Sequence, residues 1–120
     1  LIFVPAIADN HARTINFGHG YSCHITLLRP ESIGEIKLHS NNPEDSLAID
    51  PTFFSHENDM IIIKRGAQKM QAILEGKPFT PIRKNMLYLV EKGNDEQLEQ
   101  DIRNRTGTST TPVVLVKWGQ

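Results

Sequence analysis

Three side chains that commonly bind metal or act as nucleophiles crowd one short stretch: His19, Cys23 and His24. A zinc ion would need three ligands converging within about 2.0–2.3 Å. If a strand starts near His19, residues 19 and 23 share one face and His24 points to the other, so the three do not converge. The expectation is that Cys23 packs inward, His24 lies on the polar face and His19 precedes the strand. A cysteine on an apolar face is protonated and inert, which argues against a Cys–His nucleophile. Gly18-His19-Gly20-Tyr21-Ser22-Cys23 begins like a dinucleotide fingerprint. It lacks the third glycine and leads into a strand, so the helix N-terminus that would cradle a phosphate is missing. No Gly-x-Ser-x-Gly elbow occurs. Asp50, Asp59 and the acids between Asn94 and Asp101 read as turn and capping residues, and Met60 and Met70 as core packing.

The elements that must position these residues follow from periodicity. Leu1 to Ile7 is a strand, with Pro5 marking an edge or an end. Asp9 to Gly20 is polar and glycine-rich and is expected to be a loop. Tyr21 to Leu28 alternates, with Tyr21, Cys23, Ile25 and Leu27 on one side. Gly34 to Ser40 alternates again, with Ile36 and Leu38 inward. Across the turn Arg29-Pro30-Glu31-Ser32 the two are expected to form an antiparallel hairpin with one buried face. Ser55 is placed to cap a helix with Glu57 and Asp59 in its first turn. Met60, Ile63, Ala67, Met70 and Leu74 recur along it at helical spacing, and Gly76 and Pro78 end it. Met86 to Val90 is a candidate short strand. Asn94 with Gln97 forms a capping-box pattern before a second helix carrying Leu98 and Ile102, with Arg103 and Arg105 near its end. Thr106 to Thr111 reads as a loop and Pro112 to Lys117 as a last strand. This order predicts an α+β domain, an antiparallel sheet with helices packed on one face.

Composition sets outer limits. The 120 residues suit a single domain. Thirteen Lys and Arg against fourteen Asp and Glu give a net charge of −1, so neither a nucleic acid nor an anionic membrane surface is expected as partner. No apolar run is long enough to span a bilayer. The single cysteine forms no intrachain disulfide and fits a reducing, cytoplasmic setting. A start at Leu1 and a finish just past Lys117-Trp118-Gly119 suggest a piece of a longer protein.

Taken in order, several segments resemble the C-terminal substrate-binding domain of the glucose-methanol-choline (GMC) oxidoreductases. Gly18-His19-Gly20-Tyr21-Ser22-Cys23-His24 is followed by Leu28-Arg29-Pro30-Glu31-Ser32-Ile33-Gly34-Glu35-Ile36-Lys37-Leu38, where the family shows strand, Pro-x-Ser-x-Gly turn and strand. Ser40-Asn41-Asn42-Pro43 is similar to the family's Ser-x-Asp-Pro. Ile49-Asp50-Pro51-Thr52-Phe53-Phe54-Ser55-His56-Glu57-Asn58-Asp59 resembles its proline-aromatic approach to a long helix. Asn94-Asp95-Glu96-Gln97-Leu98 through Ile102-Arg103 resembles its acidic helix start. Thr111-Pro112-Val113-Val114-Leu115-Val116-Lys117-Trp118-Gly119 stands where the family has His-Pro-x-Gly-Thr-x-Lys-Met-Gly.

The resemblance, nearest to choline dehydrogenase, implies a fragment of a larger flavoenzyme. The full enzyme would use FAD to oxidise a small, choline-like alcohol, with this segment as one wall of the pocket over the flavin. No FAD-binding domain is expected in residues 1–120, and no FAD bound to this chain alone. The family's base is often the His of the His-Pro pair, and an imidazole suits that task because its pKa lies near working pH. Thr111 stands at that position here, and a threonine hydroxyl is no base near neutral pH unless another group activates it. His19 matches a histidine that lines the substrate pocket in choline-type relatives; a solvent-facing loop histidine is the other reading. The isolated chain is therefore expected to be inactive, or to be a binding or interaction module that kept the fold without the chemistry. A face left uncovered would favour homo-oligomers.

Overall fold

The computed structural model describes residues 1–9, 14–15, 18–88 and 90–107. Six short strands, two helices and one 3-10 turn follow in order: β1 (Ile2–Val4), β2 (Ala8–Asp9), β3 (Thr14–Ile15), β4 (Ser22–His24), β5 (Glu35–Lys37), β6 (Ala48–Asp50), α1 (Glu57–Leu74), the 3-10 turn Lys77–Phe79 and α2 (Asp95–Arg105). The class is α+β with antiparallel strands, as the patterning predicts. The strands form three separate pairs: β1 with β4, β2 with β3, and β5 with β6. Among the described residues no helix is long and apolar enough to cross a membrane.

The pairing corrects two expectations. The segment from Asp9 to Gly20 is not all loop, because Asp9 pairs with Thr14 and Ala8 with Ile15. The expected hairpin between the strands around Tyr21–Leu28 and Gly34–Ser40 does not form. Instead Phe3 faces Cys23 across β1–β4, and Ile36 faces Ile49 across β5–β6. The reason lies in the chain between them. The N–H groups of Glu31 and Ser32 donate to the Asp59 carboxylate at 2.9 and 2.8 Å, so the segment runs across the start of α1 rather than reversing on itself. Ile36 and Leu38, expected inward, are 39% and 78% exposed. Residues 86–88 form no strand, and the expected final strand Pro112–Lys117 lies outside the described residues.

Helix α1 forms where the apolar spacing places it. Its N-cap is His56, one residue beyond the expected Ser55, with the imidazole Nδ1 accepting from Asn58 N–H. Met60 and Ala67 are buried and Ile63, Met70 and Leu74 half-buried, so the predicted stripe is the inward one. A Cβ on Gly66 would sit 3.0 Å from Ile25 Cγ2, which shows how closely α1 approaches the segment after β4. The helix stops where Gly76 turns extended and Pro78 enters the 3-10 turn without an N–H to give. Arg83 then caps the exposed end by donating to the Leu74 carbonyl at 3.1 Å.

In α2 the Asn94 side chain accepts from Gln97 N–H at 2.9 Å, the half of a capping box that the sequence predicts. The Gln97 amide oxygen accepts from Glu91 N–H instead of reaching back to Asn94. Lys64 bridges to Glu99 at 2.8 Å and ties α2 to α1. That ammonium, followed by the Arg103 guanidinium, holds the Glu99 carboxyl below the usual carboxylate range. Replacing Asn94 with alanine should lower the stability of α2 by about 1 kcal/mol. The loss should appear as reduced far-ultraviolet helicity at temperatures where the native chain is unchanged.

Candidate functional site

His19 sits on an exposed bend between β3 and β4, between two glycines that serve different purposes. Gly18 has φ +132°, a conformation that side-chain-bearing residues rarely adopt. A Cβ on Gly20 would lie 2.5 Å from Ile7 Cγ1, so only glycine lets the bend close against the end of the first strand segment. Ser22 fastens the exit from this bend, its hydroxyl donating to the Ala6 carbonyl at 3.0 Å. Tyr21 next to it packs against Phe3 and Phe79 with ring centroids 5.4 and 5.5 Å apart. His19 is thus carried at the end of the β1–β4 pair on a bend whose exit is fixed by the contacts of Gly20, Tyr21 and Ser22. Cys23 is half-buried and His24 exposed, with its Nε2 3.1 Å from the Ser22 hydroxyl. Among the described residues no three His, Cys, Asp or Glu side chains gather to hold a metal ion.

Thr111 lies outside the described residues. Two open depressions occur elsewhere: one of about 380 Å³ lined by Tyr88, Val90 and α2, and one of about 370 Å³ lined by Glu75, Arg83, Lys84, Met86 and Lys92. His19 lines neither.

A hydrogen-bonded polar cluster that the apolar pattern of the sequence does not announce joins the Glu31–Ser32 turn to the start of α1. Asp59, expected only to complement the helix dipole, is 1% exposed. Its two carboxylate oxygens each take one backbone N–H from the Pro-x-Ser-x-Gly segment, at Glu31 and Ser32. The buried Ser32 hydroxyl accepts from His56 N–H at 3.1 Å. Glu31 meets the His56 imidazole at 3.3 Å and accepts from the Asn58 amide at 3.1 Å. The Thr52 hydroxyl donates to the Ile33 carbonyl at 2.6 Å, while its own N–H is taken by Asp50. Thr52 and Phe54 have φ of +41° and +59°, which cost about 1–2 kcal/mol each for non-glycine residues. This network holds them there, and the Phe54 ring lies 5.8 Å from the Arg103 guanidinium. The sequence signal was available: a turn with two consecutive free N–H groups needs a double acceptor, and Asp59 is the acid one helical turn in.

The described residues do not fit a dinucleotide pyrophosphate. The glycine-rich bend enters β4 and not a helix. Helix α1 begins amid Glu31, Glu57 and Asp59, and α2 begins with Asp95 and Glu96. Carboxylates crowd the two helix N-termini where a phosphate would otherwise be favoured.

Residues 30–116 match the family model described as GMC oxidoreductase. The chain is 31% identical over 119 residues to an alcohol dehydrogenase [acceptor] of Pseudomonas putida, covering 98% of this chain and 22% of that relative. It is 26% identical over 118 residues to oxygen-dependent choline dehydrogenases of Escherichia coli (strain K12) and Shigella flexneri serotype 5b, covering 98% of this chain and 21% of each. The chain therefore spans about one fifth of the length of these curated relatives. No solved structure matches it significantly.

Proposed function

Because the chain belongs to the GMC oxidoreductase family, we propose that it is the substrate-domain portion of an FAD-dependent dehydrogenase that oxidises a small primary alcohol of the choline type. The observation that carries this reading is the match along nearly the whole chain to an alcohol dehydrogenase and to choline dehydrogenases. Flavin, when bound, supplies the hydride acceptor, and the protein positions the alcohol. Among the described residues the glycine-rich bend enters a strand and not a helix, so it forms no pyrophosphate cradle.

Within the longer enzyme, this chain contributes a pocket wall. His19, on its two-glycine bend, faces the alcohol, and the imidazole gives it a hydrogen-bonding tip. Thr111 occupies the position of the family's basic histidine. Its hydroxyl can hydrogen-bond the alcohol but cannot accept the proton near neutral pH without an activating group. The chain alone is accordingly inactive.

Titrating the purified chain with FAD and recording the flavin absorbance after gel filtration tests this. The expected result is no co-eluting flavin and no choline-dependent bleaching. A yellow complex bleached by choline would overturn the assignment of this chain as a wall without its own cofactor site.

A further inference from the structure

The His56 ring nitrogen Nδ1 stands between two partners that require opposite things of it. On one side the Asn58 N–H points at it from 3.4 Å and needs an acceptor. On the other the Glu31 carboxylate lies 3.3 Å away and needs a donor. A neutral imidazole with its proton on Nε2 satisfies the first and turns a lone pair toward the carboxylate. An imidazolium carries a proton on Nδ1 and satisfies only the second. Neither partner can drift away. The His56 N–H donates to the buried Ser32 hydroxyl at 3.1 Å, and the Glu31 N–H to Asp59 at 2.9 Å. The Asn58 side-chain amide donates to both Glu31 oxygens, at 3.1 and 3.3 Å. The charged groups facing the ring are Glu31 from the turn and Asp59 from α1, and Glu57 follows it as the first residue of the helix.

We propose that His56 is a proton-driven switch at the start of α1, which exchanges the cap on Asn58 for an ion pair with Glu31 when the ring gains a proton. The exchange ties the Glu31–Ser32 turn more firmly to α1 and releases one N–H of the first helical turn to water. Imidazoles change charge between about pH 5 and 8, where ordinary carboxylates are already ionised. The gain at Glu31 and the loss at Asn58 oppose each other in total stability, so the two bonds have to be followed separately.

The test is an NMR titration of the full chain from about pH 8 to about pH 5.5. The Asn58 amide resonance is expected to move along the same curve as the His56 ring. Its protection from hydrogen exchange, corrected for the intrinsic effect of pH, should fall by about fivefold. His56→Asn caps the helix without titrating, so its Asn58 amide should stay in place. A double-mutant cycle of His56→Ala with Glu31→Gln, read by urea unfolding, reports the other bond. Both side chains are about half exposed, at 48% and 49%, so the ion pair is modest. The two residues should favour the folded state by about two- to fivefold at about pH 5.5 and show no coupling at about pH 8. An Asn58 amide that stays in place while the native His56 ring titrates would overturn the switch, and that measurement needs no variant to fold. The same amide movement in His56→Asn, or equal coupling at the two pH values, would also overturn it.

Discussion

Replacing Asp59 with alanine is expected to destabilise the isolated chain by about 3 kcal/mol, measured as a lower urea midpoint with little change in slope. The carboxylate accepts two backbone N–H groups from Glu31 and Ser32, each a charge-assisted bond worth about 1.5–3 kcal/mol. The variant strands both donors. The exposed Glu31 side of the cluster lets water replace part of the loss, which keeps the figure toward the lower end of the sum. Asp59→Asn should fall between the two, since an amide has one acceptor oxygen and its NH₂ group opposes the second donor.

The same residue gives a pH signature. Burial raises the Asp59 pKa, but the backbone N–H of Glu31, the Ser32 hydroxyl and N–H, and the charge of His56 together outweigh it and leave it lowered. The folded value is therefore below the unfolded one of about 3.9. The contribution to stability is complete above the unfolded value and is lost as pH falls below about 4 through the folded value. Native protein should lose stability across that window, and Asp59→Ala should show a flatter profile there. An identical acid dependence in both proteins would show that Asp59 does not anchor the turn.

Met60→Ala should cost about 3 kcal/mol, comparable to the loss of Asp59. Among the described residues the buried apolar side chains are Met60 at 6% and Ala67 at 8% exposure, on one stripe of α1. A methionine deleted from a large core leaves a cavity that many neighbours still surround. Here it removes one of the two side chains around which α1 is fixed. Ile61, Ile62 and Ile73 on other faces of α1 are 38%, 47% and 51% exposed and cannot substitute for it. The measurement is thermal unfolding followed by helicity, where the variant should melt earlier and over a broader range than native protein. A midpoint shifted by less than about 2 °C would mean that α1 is held by something other than this stripe.

How much of this was legible in sequence differs from element to element. The two helices were, because their signals are local. The Met60–Ala67 spacing, the Gly76 and Pro78 stop, and the Asn94–Gln97 cap each act within a few residues of chain. The α+β class and the kinship also followed from the order of short segments. Of the two residues singled out for a site, His19 stands on an exposed bend and Thr111 lies outside the described residues, whereas the anchoring role of Asp59 was not foreseen.

The local sequence determined where helices start and stop and which faces are apolar. The tertiary structure alone decided which strands pair and which apolar faces find a cover. Strand partners are chosen by contacts between segments far apart in the chain, and alternation is the same whichever partner is taken. Ile36 and Leu38 show this: their pattern is that of a buried strand face, yet Asp59 draws the preceding turn onto α1 and leaves that face open. Burial is a property of what lies opposite, and no single segment carries that information.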